Sequence, residues 1–166
     1  KLTSKDIVAY NAAPDMVSSS PDRRWIVSHV PDALTTLQIT DTGNKQLPTS
    51  SISLAPTLFG THTGTQTLEA VEWSTDNRHL LVKFNFDGGY DYLILDREKP
   101  EESLSVTQTF GKAFTKVTLR DKASDQLYLY DGNGGVLISG RTDDKTTAPV
   151  VSGVTNFWPY KNNTIL

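Results

Sequence analysis

Residues Glu69–Gln108 read EAVEWSTDNRHLLVKFNFDGGYDYLILDREKPEESLSVTQ, and this stretch decides the fold. It divides into four short apolar runs separated by turn signals at Ser74–Asn77, Asp87–Gly89 and Asp96–Glu102. Leu80, Val82, Phe84 and Phe86 alternate with Leu81, Lys83 and Asn85, and Tyr90, Tyr92 and Ile94 alternate with Asp91, Leu93 and Leu95. This period of two predicts strands. Asp87-Gly88-Gly89 suits a tight hairpin, because glycine reaches positive φ without a Cβ clash.

The same four-part pattern recurs on both sides. Upstream, Ser20-Pro21-Asp22-Arg23 stands where Ser74-Thr75-Asp76-Asn77 stands in the central unit, and Trp25, Ile26 and Val27 then match His79, Leu80 and Leu81. Downstream, KVTLRDKASDQLYLYDGNGGVLISGRTDD repeats it with a strand ending at Leu119, a strand over Gln126–Tyr130, a DGNGG turn and a strand over Val136–Ser139. Another unit begins within VTNFWPYKNNTIL. Equating Trp73, Leu119 and Trp158 gives steps of 46 and 39 residues, and Ser20 to Ser74 gives 54 because of an insertion. Such steps fit the four-stranded blades of a β-propeller, roughly 40–50 residues each.

The expected fold is therefore all-β: a partial propeller of three blades, Met16–Ser53, Leu68–Gln108 and Phe114–Val151, plus the start of a fourth over residues 154–166. One propeller segment accounts for residues 1–166. A Thr/Ser/Gly/Pro-rich insertion within Gly43–Thr67 is expected to be exposed and to hold the outer strand of the first blade near Ser51–Leu54. Lys5–Tyr10 is expected to be one further strand. Almost no helix is expected, since the nearest candidate, Arg97–Leu104, is limited to one turn by Pro100. Trp73 and Trp158 are expected to pack between blades. The chain starts at Lys rather than Met and stops in an apolar run, so it reads as a fragment of a longer protein whose cut blade edges expose apolar surface and favour a dimer.

Composition narrows the chemistry. Of 166 residues, 14 are Ser and 21 are Thr, which favours strands, and a net charge of -3 gives no electrostatic basis for nucleic-acid binding. No apolar run is long enough to span a bilayer as a helix, so membrane contact is expected only through an anchor elsewhere in the parent. The absence of cysteine excludes a thiol nucleophile, a disulfide and a Cys-ligated metal, and His29, His62 and His79 are the three imidazoles. No short zinc-binding spacing joins those histidines. Asp131-Gly132-Asn133-Gly134-Gly135 begins like a calcium loop but lacks its closing Glu, and a hairpin turn explains it better. The acidic pairs Glu101-Glu102 and Asp143-Asp144 lie in polar turns, where solvation disfavours a general acid. Asp22 and Asp76 are expected to accept backbone N–H groups of the turn they begin, and Asp96 and Asp131 to do so after their strands. His62, with its Thr/Gly-rich neighbours, and Tyr90 and Tyr92 are the candidate ligand contacts.

Ser20-Pro21-Asp22-Arg23-Arg24-Trp25-Ile26-Val27 resembles the S-P-D-G-(K/R)-hydrophobic signature of TolB-like and WD-repeat-like propeller blades, with Arg23 in place of the usual Gly. The longer run from Trp73 to Asp131 resembles the propeller-like region of bacterial surface proteins that also carry PEGA domains. That resemblance implies display outside a bacterial cell, at its surface or in the extracellular space, and implies no catalytic residues. The expectation is thus a binding or scaffold module that is not an enzyme and needs no cofactor, with a protein, peptide or cell-wall polymer as ligand. Two alternatives stay open: the substrate-gating propeller of a larger secreted hydrolase, and a TolB-like periplasmic accessory protein.

Overall fold

A computed structural model describes residues 13–160 and 164–165; the strand expected over Lys5–Tyr10 lies outside them. The chain forms three four-stranded antiparallel sheets in succession, each an up-and-down meander whose strand order is the chain order. The first contains β1 (Met16–Ser19), β2 (Trp25–His29), β3 (Thr36–Asp41) and β4 (Thr49–Ser53). The second contains β5 (Thr67–Trp73), β6 (His79–Phe86), β7 (Gly89–Asp96) and β8 (Leu104–Ser105). The third contains β9 (Lys116–Leu119), β10 (Gln126–Asp131), β11 (Val136–Arg141) and β12 (Thr147–Ser152). A two-stranded hairpin, β13 (Pro159–Tyr160) with β14 (Thr164–Ile165), follows. Each first strand neighbours the first strand of the next sheet, β1 beside β5 and β5 beside β9. Successive four-stranded meanders stacked with their first strands innermost make a partial β-propeller.

Strand alternation sends each sheet's side chains to its two neighbours. On the second sheet, Leu80, Val82, Phe84, Leu93 and Leu95 join Met16, Val27, Leu37 and Ile39 of the first in one buried cluster. Leu81, Tyr92 and Ile94 point the other way and join Val117, Leu119, Leu127 and Leu129 of the third. Tyr128, Tyr130 and Leu137 on the far face of the third sheet pack on Phe157 and Ile165 beside the hairpin. The registers Val27↔Ile39, Leu81↔Ile94 and Tyr128↔Ser139 make these pairs equivalent, all on the forward face that meets the next blade.

Three features differ from the sequence expectations. The connection after β4 is not simply exposed: Leu54, Leu58 and Phe59 fold back into the first cluster, and the Gln108 side-chain amide donates to the Thr57 carbonyl at 2.9 Å. A short helix, α1 (Val106–Phe110), follows β8; the Ser105 hydroxyl caps it by accepting from Gln108 N–H, and Gly111 ends it at φ 68. In Arg97–Leu104, only Pro100–Glu102 turns, as one 3-10 turn. Finally, Trp158 is 58% exposed and its neighbour Phe157, at 1%, takes the buried place. The indole of Trp73 by contrast is buried between sheets and donates to Ser18 Oγ at 2.9 Å.

Candidate functional site

The turns between first and second strands, and those between third and fourth, share one rim of the arc. In the first sheet Asp22 Oδ1 accepts the N–H of Arg24 at 3.0 Å and the Ser20 hydroxyl at 2.5 Å, and that hydroxyl accepts Trp25 N–H. The Ser20 hydroxyl is the main reason the Asp22 carboxyl lies below its ordinary range. In the second sheet Asp76 Oδ1 accepts the N–H groups of Arg78 at 2.8 Å and His79 at 3.0 Å, and Oδ2 faces His79 Nδ1 at 2.6 Å. Burial pushes the Asp76 carboxyl up, but those N–H groups and the His79 ring outweigh it and hold it low. The two turns also touch, since Asn77 Oδ1 accepts Asp22 N–H at 3.0 Å.

An ion pair repeats behind each turn. Arg24 Nε and Nη2 donate to the two oxygens of Asp41, each at 3.1 Å. Arg78 makes the same bidentate contact with Asp96, whose side chain is fully buried and whose Oδ1 also accepts the N–H groups of Glu98 and Lys99. Burial raises the Asp96 carboxyl, yet the Arg78 hydrogen bond and those N–H groups bring it below its usual value. In the third sheet the pair is inverted. Gln126↔Arg141 corresponds to Trp25↔Asp41 and His79↔Asp96, so Arg141 stands in the Asp position and Asp125 in the Arg position, 4.0 Å apart. Arg141 is held mainly by Asp143, with contacts of 3.2 and 2.5 Å, and Asp144 lies 3.7 Å away.

At this inverted corner the forward face of the third sheet opens into a cleft of about 320 Å³, lined by Arg120, Gln126, Ser139, Arg141, Thr146 and Thr147. A wider recess of about 610 Å³ lies at the matching corner of the first sheet, beside Arg24, Asp41, Asn44, Lys45 and Gln46. Where the first two sheets bury Val27 with Ile39 and Leu81 with Ile94, the third carries Tyr128 and Ser139. Nearer the inner strand, Lys116 Nζ donates to the Phe157 carbonyl at 2.5 Å and sits 4.7 Å from the Phe157 ring and 5.3 Å from that of Trp158. Burial lowers its ammonium below the ordinary lysine value. The cleft is thus lined by guanidinium, amide and hydroxyl groups, with Arg141 engaged by Asp143 and the Ser139 and Thr146 hydroxyls donating to the Ala148 carbonyl and to Asp144. Among the described residues, no group of three or more His, Asp and Glu side chains is placed to hold a metal ion.

The ligand contacts expected from sequence do not converge. His62 stacks on Phe86 with ring centroids 3.5 Å apart, on the side facing the first sheet. Tyr90 and Tyr92 lie on the opposite side, where both hydroxyls donate to the Thr115 carbonyl, at 3.1 and 3.3 Å. Tyr92 is buried, and that burial pushes its phenol up to about 12. His29 is fully buried, with Nδ1 2.6 Å from Asp15 and Nε2 3.1 Å from the Leu34 carbonyl. Asp131 accepts Asn133 N–H at 3.1 Å and pairs with Lys112, whose ammonium holds its carboxyl low. The cleft residues carry no motif; they emerge when equivalent positions of the repeats are compared and Tyr128 and Ser139 break an apolar series.

No protein-family model matches the chain, and no curated protein matches it. Among solved structures it is similar to the Pseudomonas aeruginosa periplasmic gluconolactonase at 17% identity and a TM-score of 0.46, over 83% of this chain and 39% of that one. It is also similar to the β-propeller domain of Swd1 from Myceliophteria thermophila at 13% identity and a TM-score of 0.40, over 93% of this chain and 61% of that one. The chain thus spans less than two thirds of the length of either. Neither is described as a PEGA-domain protein. The expectation that the chain is not an enzyme is corrected, because one of these similar chains, the gluconolactonase, is itself an enzyme.

Proposed function

We propose that this propeller segment is a binding module, and that its ligand is a protein or peptide segment whose carboxylates compete with the exposed Asp143 for Arg141 in the cleft on the third sheet. The observation that carries this reading is the change of chemistry at equivalent positions. Val27 and Ile39, and Leu81 and Ile94, serve junctions between blades, whereas on the third sheet Tyr128 packs on Phe157 and Ser139 lines a cleft with Arg120, Gln126 and Arg141. An apolar surface selects another sheet by burial alone, while a polar one needs a partner that replaces its hydrogen bonds to water. Guanidinium groups supply the directional, bidentate part of such recognition. The proposed setting is extracytoplasmic, as the resemblance of Trp73–Asp131 to the propeller-like region of bacterial surface proteins implies.

Titration of the ¹⁵N-labelled chain with a pool of Asp/Glu-rich peptides tests the reading. Amide shifts concentrated at Arg120, Gln126, Ser139–Arg141 and Thr146–Thr147 are expected, and they should vanish in an Arg120→Ser/Arg141→Ser variant. Shifts confined to the first sheet's recess, or no shifts at saturating peptide, would overturn it.

A further inference from the structure

The junctions between sheets share one polar contact. At the first, Trp73 on β5 donates its indole N–H to Ser18 Oγ on β1 at 2.9 Å. At the second, Leu119, the residue equivalent to Trp73, donates its backbone N–H to Glu72 Oε1 at 2.5 Å. Ser18 pairs with Val27 on β2, and Glu72 with Leu81 on β6, so these two acceptors hold the same place. The third member of the series is Thr118, opposite Tyr128 on β10. Thr118 is 7% exposed, and its buried Oγ1 has no hydrogen-bond partner. Native structures rarely leave such an atom unpaired, because its hydration is lost with nothing in return.

The missing donor can be read from the repeat. Residues 158–166, WPYKNNTIL, align with residues 73–81, WSTDNRHLL, which places Trp158 where Trp73 stands one junction earlier. Its indole N–H is a donor of the same kind. In the structure, however, Phe157 faces the third sheet and Trp158 faces away. A shift of one residue along a strand exchanges its two faces, so this strand lies one residue out of the register of its counterparts.

We infer that β13 is a two-position strap: in its second position Trp158 replaces Phe157 against the third sheet and donates its indole N–H to Thr118 Oγ1. The Trp158 ring lies 5.3 Å from the ammonium of Lys116, whose strand also carries Thr118 two residues on. Both positions bury one large ring, and they differ in what they satisfy. The present one gives Phe157 ring contacts with Tyr128 and Tyr130, at 6.2 and 5.9 Å, and the bond from Lys116 to the Phe157 carbonyl. The other pairs the orphan hydroxyl. Comparable gains on each side make two populated arrangements, which anything with unequal affinity for them will shift. The seated indole would lie next to Arg120 at the inner margin of the cleft, so the strap would govern access to it. The Thr118–Trp158 contact itself does not depend on what the cleft binds.

Exchange of the Trp158 indole proton with solvent, followed by ¹H–¹⁵N NMR on the intact chain, tests the inference. The Trp73 indole serves as an internal reference for a seated donor. Trp158 exchange about 2-fold or more slower than that of a free indole is expected, and Thr118→Val should restore the free rate while Thr118→Ser preserves protection. Thr118→Val should also lower the folding equilibrium constant several-fold. Free-indole exchange in the wild type would overturn the strap, as would a Thr118→Val variant that is more stable with Trp158 exchange unchanged. Should the valine variant fail to fold, wild-type exchange decides alone, slow rates supporting the contact and fast ones rejecting it.

Discussion

The second and third sheets follow one plan and differ in what meets their forward faces. Leu81 and Ile94 of the second press into Val117, Leu119, Leu127 and Leu129 of the third, whereas Tyr128 and Ser139 of the third face a two-stranded hairpin and a cleft. The ion pair behind each turn differs in the same direction. Arg78–Asp96 is bidentate around a fully buried carboxylate, while Asp125 and Arg141 are 4.0 Å apart and each about half exposed. In such a repeat the stability of each sheet rests on its interfaces with its neighbours as well as on its own strands.

The strongest way to break this comparison is to remove equivalent side chains from the two forward faces. Ile94, the residue equivalent to Ser139, is buried, so Ile94→Ala loses both transfer free energy and packing, and a destabilisation of about 2–5 kcal/mol is expected. Ser139→Ala should stay within about 0.5 kcal/mol, as substitutions away from a packed core do. Urea unfolding of both variants measures the contrast, and equal costs would mean that the third sheet's face is packed like the second's.

The ion pairs give a smaller contrast and a pH signature. Asp96→Asn leaves Arg78 and the turn N–H groups without their carboxylate, at a cost of about 2–3 kcal/mol, while Arg141→Gln at an exposed pair should cost under about 1 kcal/mol. The Asp96 carboxyl titrates below the unfolded-chain value of about 3.9. Its contribution is consequently complete above that value and is lost as pH falls through the lower, folded one. Unfolding at pH 7 and at pH 3 should show the gap between wild type and Asp96→Asn narrowing in acid. A gap that stayed constant would place the effect of Asp96 in packing instead of charge.

What sequence could and could not reveal follows the same division. The strands and turns are local: Ser20-Pro21-Asp22-Arg23-Arg24 and Ser74-Thr75-Asp76-Asn77-Arg78 repeat, and alternation over Leu80–Phe86 marks a strand buried on both faces. The contacts between sheets are not local. The exposure of Trp158 depends on which register β13 adopts, and a helix of five residues such as α1 is too short to show an apolar stripe. The burial of His29 depends on Asp15 and Leu34, which only the folded first sheet brings to its ring. The cleft was hidden because Arg120, Gln126, Ser139 and Arg141 are separated in sequence and are joined by strand pairing. The inversion of the Arg–Asp pair becomes visible only once Gln126↔Arg141 fixes the register.

The smallest effect concerns the one departure from the blade signature, Arg23. Its φ of 61 lies in the left-handed region, and the equivalent Asn77 has φ 58. Asparagine tolerates that region and Asn77 also uses its side chain, whose Oδ1 accepts Asp22 N–H from the neighbouring turn. Arginine carries the full Cβ clash, and glycine would relieve it while losing some unfolded-state restraint. Arg23→Gly should therefore stabilise the chain by about 0.5–1 kcal/mol, a small upward shift of the melting midpoint. Asn77→Gly, which removes a contact between sheets along with little strain, should be neutral or destabilising. If both glycine variants gained equally, the turn of the second sheet would owe nothing to its neighbour, and the dependence of one blade on the next would end at the apolar core.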